Sequence, residues 1–331
     1  MSRTGVLVLL MVAALGGWYF FQRYQIEGVE KLSVKPREVQ LASSAPGSGK
    51  ADGLLPPVPA GKITIRIATF NLGPLDQHKM SRPQVVNRLA QVIRRFDIVA
   101  MQNIQARNQG IVVQLAEQVN ADGRCYHYVV GPNVERDTIH RYSAILFDRA
   151  SIQVDRSTVG LVDDPLGRLR NSPLVAAFRT RGPEPSQAFT FTLVNVDIDP
   201  EQARAELDLL DSVFLAVRGD GRNEDDIILL GTLGADDRHL GRIAQLPGIT
   251  CAVFGMPTTT RGTESSDNLL FDFRATKEFT GRSGVLDLMR ELNLTMQEAL
   301  ETASHLPVWA EFSVYEGGRT GHLTARPHTA R

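Results

Sequence analysis

The stretch "IILLGTLGADDR", Ile227 to Arg238, decides how this chain is read. Ile227 to Leu230 is an unbroken apolar run, the pattern of a strand covered on both faces. Gly231, Thr232 and Gly234 follow, then the acidic pair Asp236-Asp237, so the strand ends in a polar turn. Such a turn is either the mouth of an active site or the remnant of one, and its neighbours decide which.

Outward from this strand, the pattern alternates strands with amphipathic helices. "KITIRIATFNL" places Ile63, Ile65 and Ile67 on one face at period two. "SRPQVVNRLAQVIRRF" predicts a helix with Ser81 as N-cap, Pro83 in the first turn and a stripe of Val85, Leu89, Val92, Ile93 and Phe96. "DIVAMQNI" is a second doubly covered strand and "QGIVVQLAEQV" a helix. "YHYVV", "RYSAILFD", "ASIQVDRSTV", "PLVAAFRT" and "FTFTLVNVDI" read as strands. "DPEQARAELDLLDSVFLAVRG" predicts one long helix, opened by Asp199-Pro200 and closed at Gly219. "NLLFDF" and "LPVWAEFSVY" are further strands, with a helical "SGVLDLMRELNLTMQEALE" between them. Many strands and few helices favour two sheets packed face to face with helices outside. There is no G-x-G-x-x-G or Walker loop to support a doubly wound nucleotide-binding fold.

The amino-terminal part is different. Residues 5–21, "GVLVLLMVAALGGWYFF", carry no charge and lie between Arg3 and Arg23. At ~1.5 Å per helical residue this run just crosses a ~30 Å hydrocarbon layer. Trp18 to Phe21 suit the interfacial aromatic belt, and no clean small-x-small cleavage site follows. The reading is a signal anchor within 1–24, single-pass, with an exported soluble domain; a cleaved signal peptide is the rival. Residues 25–61, rich in Pro, Ser and Gly from Ala42 on, are expected to form a flexible linker. The folded domain is expected to span 62–315, and 316–331, rich in Gly, Arg and His, is expected to be a disordered tail.

The 331 residues carry 36 Lys and Arg against 37 Asp and Glu, so no basic field gathers polyanions. A phosphoester or nucleic-acid ligand is therefore unsupported by net charge, and a protein partner remains open. Two cysteines, Cys125 and Cys251, exclude a disulfide-dense scaffold and a Cys-rich zinc site. They are either one bridge or two unrelated thiols.

The strand ends carry a resemblance. "RIATFNL", "RRFDIVAMQNI", "HRYSAILFD", "FTLVNVDIDPEQARAEL", "DIILLGTLGAD", "SDNLLFD" and "ASHLPVWAEF" follow the order and spacing of the endonuclease/exonuclease/phosphatase superfamily. The chain from about Lys62 to Tyr315 resembles these proteins, of which pancreatic deoxyribonuclease is the best-known nuclease. The resemblance implies a four-layer α/β/β/α sandwich, with its site at the ends of the central strands. It also implies phosphoester hydrolysis with Mg²⁺ or Mn²⁺, hard cations that want anionic oxygen ligands.

On the same resemblance, Asn71 stands in a slot that is intact, and Asp267 and His305 keep a carboxylate–imidazole pair. Asn103 stands where the superfamily has its principal metal-binding Glu, leaving a weak, uncharged donor. Thr232 and Gly234 replace an Asp and an Asn, and Ser304 replaces an Asp. His140 takes the place of a nuclease Glu and Asp197 that of its partner His, so this pair is exchanged. Three anions vanish, which implies that no resident cofactor is held, with Mg²⁺ or Mn²⁺ the metal if the protein is active. Asp236-Asp237 are candidate replacement carboxylates, though turn acids are usually solvated. Arg94-Arg95 read as solvated, and the Arg168/Arg170 pair as solvated or as a phosphate contact. The expectation is a degenerate phosphoesterase with His305, Asp267, Asn71, His140 and Asp197 as a partial site, acting as a membrane-tethered binding module. The alternative is an active phosphodiesterase or nuclease with an atypical cation site, and a weaker one is metal-independent hydrolysis by Asp267 and His305 alone.

Overall fold

The structure, a computed structural model, describes residues 32–36, 55–107, 109–131, 134–136 and 139–318. In chain order the strands begin with β1 (Ser33–Pro36), β2 (Thr64–Leu75), β3 (Ile98–Gln105), β4 (Tyr126–Val130), β5 (Val134–Arg136), β6 (Ile139–Asp148) and β7 (Ile152–Asp163). They continue with β8 (Leu174–Thr180), β9 (Thr190–Asp197), β10 (Ile227–Thr232), β11 (Ile249–Cys251), β12 (Asp267–Asp272), β13 (Phe279–Val285) and β14 (Val308–Ser313). The helices are α1 (Gln77–Met80), α2 (Pro83–Ile93), α3 (Gly110–Asn120), α4 (Ala203–Leu207), α5 (Leu210–Arg218), α6 (Leu288–Leu292) and α7 (Met296–Thr302).

Two sheets result. One runs β1-β7-β8-β9-β10-β12-β11; the other runs β13-β14-β2-β3-β6-β4, with β5 on β6. Both are mixed, because β9–β10 in the first and β2–β3 in the second are parallel pairs among antiparallel neighbours. Between the sheets lies an aromatic core of Phe147, Phe178, Phe189, Phe191, Phe271 and Phe312, together with Ile65 and Ile67. Leu89, Ile93, Leu115 and Leu288 seal α2, α3 and α6 onto one outer face, and Leu210, Phe214 and Val217 seal α5 onto the other. Each such side chain stabilises by ~1.5–3 kcal/mol relative to exposure. Two packed mixed sheets with helices outside is the expected architecture.

Local departures have local causes. Ile63, read as a third inward residue, is 42% exposed because the strand begins only at Thr64. Ser81 is not the N-cap of α2; it closes α1, and Arg82 precedes α2 without a side-chain cap. The single helix expected after Asp199-Pro200 is broken into α4 and α5 at Asp208-Leu209. Buried Glu206 pins the first piece by accepting Asp199 N and Arg170 N. The helix expected over "SGVLDLMRELNLTMQEALE" is also split. Gly284 and Val285 pair with β14 as part of β13. Asn293 then ends α6 with a left-handed φ of 52°, and Thr295 opens α7 through a capping box with Glu298. Ser33–Pro36, inside the stretch read as linker, pairs with β7 as an edge strand, and Leu32 beside it is buried. Cys125 and Cys251 are free thiols, which leaves the two-thiol reading. Among the described residues no helix is long and apolar enough to cross a membrane; residues 5–21 lie outside them.

Candidate functional site at the carboxyl ends of the central strands

The parallel pairs of both sheets send their carboxyl ends to the same place. In register, Thr232 lies beside Asp197 on one side and Asp267 on the other. In-register neighbours share a face of the sheet, so these three form one polar row. Gly231 delivers Thr232 to that row: its φ is 147°, and a Cβ there would lie 1.9 Å from Val196 O. Facing the row from the other sheet are Asn71 of β2 and Asn103 of β3. Between them opens a cleft of 1270 Å³, lined by Asn71, Asn103, Arg141, Asp197, Thr232 and His305 among others.

Asp267 is the hub, 3% exposed. Its Oδ1 accepts from Thr232 Oγ1 at 2.9 Å. Its Oδ2 accepts from His305 Nδ1 at 2.6 Å, Thr258 Oγ1 at 2.8 Å and Ser266 Oγ at 2.9 Å. An ionised carboxylate offers roughly four lone-pair sites; here three donors crowd onto Oδ2 and one reaches Oδ1. His305 is thereby held with Nδ1 inward and Nε2 as its remaining atom for a ligand. Burial opposes charge on its ring, but the hydrogen bond and charge of Asp267, aided by Asp197 and Glu264, prevail and raise the pKa.

Asn71 is committed as well. Its Nδ2 donates to Thr232 Oγ1 at 2.8 Å, and its Oδ1 accepts Gly73 N at 2.9 Å. Asn103 has a left-handed φ of 62°, and its Oδ1 accepts Gln105 Nε2 at 2.8 Å. Asp197 is 6% exposed, and its Oδ2 has no hydrogen-bond partner. Burial pushes its pKa up to about 6, against the charge of Arg141 and the Asn103 N–H, which favour the anion. The His140 side chain lies outside the described residues. Its neighbour Arg141 lines the cleft and brings the positive charge toward Asp197.

The remaining candidates are engaged by neighbours, although Gly234 and Asp236 also line the cleft. Asp236 accepts His239 Nδ1 at 2.6 Å, and Asp237 accepts Gly255 N at 2.9 Å. Arg168 pairs with Asp164 at 3.3 Å and Arg170 with Asp199 at 3.0 Å, so both face carboxylates. Arg94, read as solvated, donates to Val119 O and Gln118 O at the end of α3, while Arg95 pairs with Glu291. Gly234 is a turn residue with φ 65°, and Ser304 is exposed beside His305.

This donor set does not fit Mg²⁺ or Mn²⁺. Such ions need at least one or two free carboxylates beside retained waters. Here Asp267 already accepts four donors, Asn103 and Asn71 each have their amide oxygen engaged by an internal donor, and the charge of Arg141 acts on Asp197. Among the described residues, no three acidic, His or Cys side chains converge at the cleft within metal-sharing distance.

Sequence reasoning missed the support beneath the cleft. Gln102 Nε2 donates to Thr69 Oγ1 at 2.9 Å and to Asn195 Oδ1 at 2.7 Å, bridging the two sheets. Asn195 Nδ2 in turn reaches Met101 O and Ala144 O. The available signal was the amide of Gln102 in "VAMQNI" and that of Asn195 in "LVNVDI", each following an apolar run. Thr258, Ser266 and Arg141 carried no comparable signal.

No family model matches the chain. In sequence it is 27% identical over 266 residues to deoxyribonuclease-1-like 1 of Cricetulus griseus, covering 76% of this chain and 85% of that protein. It is 24% identical over 264 residues to deoxyribonuclease-1 of Bos taurus, covering 74% and 91%. In structure it matches humanized D. rerio TDP2 with a TM-score of 0.55 at 13% identity, over 75% of this chain and 98% of that one. An endonuclease/exonuclease/phosphatase family protein from Bacteroides thetaiotaomicron matches with a TM-score of 0.50 at 14% identity, over 76% and 97%. The chain is thus a relative of deoxyribonuclease-1-type proteins in sequence and carries the endonuclease/exonuclease/phosphatase fold.

Proposed function

We propose that this protein is a degenerate relative of the deoxyribonuclease-type phosphoesterases whose cleft binds a partner and no longer runs metal-dependent hydrolysis. The observation that supports this reading is the relation of Thr232 to Asp267. Two carboxylates at these neighbouring positions would repel unless a cation lay between them. A threonine there donates to Asp267 instead, so the cleft is stable without a metal. The hydroxyl does for the fold what the ion would otherwise do.

The lining also argues against a polyanion. Arg141 and Arg204 face Asp197, Asp208, Asp236 and Glu264 across the same cleft. Nucleic-acid binding rests on neutralising phosphates with Lys and Arg, and that excess is absent here. A protein segment or a small polar ligand suits the cleft better. Residues 5–21 would anchor this domain in a membrane as a single-pass signal anchor, with the cleft on the exported side.

One observation favours active hydrolysis: Asp197 Oδ2 is buried without a partner and is open to a cation or a proton-bearing ligand. The experiment is to titrate the full chain with MgCl₂ and MnCl₂ while following hydrolysis of a chromogenic phosphodiester. We expect no turnover and no metal-dependent signal that Asp197→Asn removes. Turnover that is lost in both Asp197→Asn and His305→Ala would overturn the proposal.

A further inference from the structure

At the opposite end of β10 from Thr232, a different group of acids converges, two of them buried and one exposed. Asp226 immediately precedes β10, Glu278 precedes β13, and Glu316 follows β14. Thr232 lies six residues along the chain from Asp226, roughly 20 Å along the strand. Asp226 and Glu278 are each 2% exposed. One oxygen from each of Asp226, Glu278 and Glu316 lies within 4.8 Å of the others. They come from both sheets: β10 belongs to one, and β13 and β14 to the other.

Part of this group is satisfied by backbone. Glu278 accepts Gly317 N, and Glu316 Oε2 accepts Thr190 N at 3.1 Å. The rest is not. Asp226 Oδ1 and Glu278 Oε2 are buried with no hydrogen-bond partner. The Thr276 hydroxyl, 1% exposed, lies beside Asp226 and favours its anion, but makes no hydrogen bond of good geometry. Among the described residues no Lys, Arg or His forms an ion pair with any of the three acids. Taking an anion out of water costs several kcal/mol even after relaxation, so these oxygens require protons or a cation.

We propose that Asp226, Glu278 and Glu316, with the Thr276 hydroxyl, form a site for one calcium ion that clips the two sheets together at the end remote from the cleft. Three carboxylates and a neutral oxygen in irregular array suit calcium, which takes 6–8 oxygens in flexible geometry; Mg²⁺ demands near-octahedral order and retains its waters. Unliganded, burial and mutual repulsion push Asp226 up to about 8 and Glu278 up to about 7. Calcium therefore displaces protons as it binds.

The test uses the full chain with CaCl₂ as the probe. Calorimetry at pH 7.5, in two buffers of different ionisation enthalpy, should give one saturable site whose apparent heat differs between buffers. Calcium should raise the unfolding temperature relative to EDTA. The double variant Asp226→Asn/Glu278→Gln should lose both effects while being at least as stable as the parent in EDTA, because its repulsion is gone. Glu316→Gln, an exposed change that spares the fold, should weaken calcium by ~10–100-fold. Thr232→Val, at the cleft, should leave the calcium heat unchanged, which separates this site from any metal in the cleft. Absence of a saturable heat, or equal calcium binding in folded Glu316→Gln, overturns the proposal and leaves protons alone as the neutralising agent.

Discussion

Thr232 Oγ1 lies 2.9 Å from Asp267 Oδ1 and donates a hydrogen bond to it. The same hydroxyl receives Asn71 Nδ2, so three strands from two sheets meet at one neutral oxygen. Asn71, Thr232 and Asp267 are thus a closed chain of donors ending in an anion, with His305 beyond it.

Thr232→Asp sets two carboxylates at this contact and should destabilise by about 2–4 kcal/mol in EDTA at pH 8. Thr232→Val, which only removes the hydroxyl, should cost about 1–2 kcal/mol. Combining Asn103→Glu, Thr232→Asp, Gly234→Asn and Ser304→Asp should create MnCl₂-dependent stabilisation that the parent cleft lacks. Thermal unfolding with and without manganese, in the Asp226→Asn/Glu278→Gln background, reads this directly. A folded quadruple variant indifferent to manganese would show that the superfamily positions are misassigned.

His305 has a raised pKa, so its charged form is favoured in the folded state. That stabilisation is fully present below the ordinary histidine value of ~6.5 and is lost as pH rises through the folded value. His305→Asn keeps a donor near Nδ1 and removes the titration. It should cost about 1–2 kcal/mol at pH 6, with the gap to the parent closing toward pH 9. Urea unfolding at several pH values measures it; a gap that does not depend on pH contradicts the assignment.

Asp197 behaves in the opposite sense. Its pKa rises from 3.8 to about 6, so folding favours the protonated acid. The penalty is absent below the ordinary carboxylate range and grows as pH rises to about 6. Asp197→Asn should therefore be neutral near pH 4 and stabilise by on the order of 2–3 kcal/mol at pH 7.5. Equal stability of parent and variant at both pH values would show that Asp197 finds a partner in solution.

Gln102 and Asn195 are both about fully buried and bond one another across the sheets. Removing Gln102 leaves Asn195 Oδ1 without its donor in the core, so Gln102→Leu alone should cost about 2–3 kcal/mol. Gln102→Leu with Asn195→Leu should recover part of that loss, because both polar groups are then gone. A double-mutant cycle by chemical denaturation tests the coupling.

The strands were legible because their residues obey simple covering rules: Ile227 to Leu230 sits between two layers, and Ile65 and Ile67 alternate inward. The broken helices were not, since the breaks come from tertiary pins such as Glu206 on Asp199 N. The Asn293 stop and the Thr295 capping box were visible signals overridden by the apolar stripe. At the cleft, the sequence placed Asp267 and His305 in one site, and the structure shows them 2.6 Å apart. Thr258, Ser266 and Arg141 could not be foreseen, because their roles arise from chain segments that meet only in three dimensions.

The left-handed backbone of Asn103, with φ 62°, restricts which side chains can stand at this strand end. Asparagine tolerates this conformation, whereas glutamate there would meet a strain of ~1–2 kcal/mol. Asn103→Glu alone would thus be uphill before any bound ion could offset the strain.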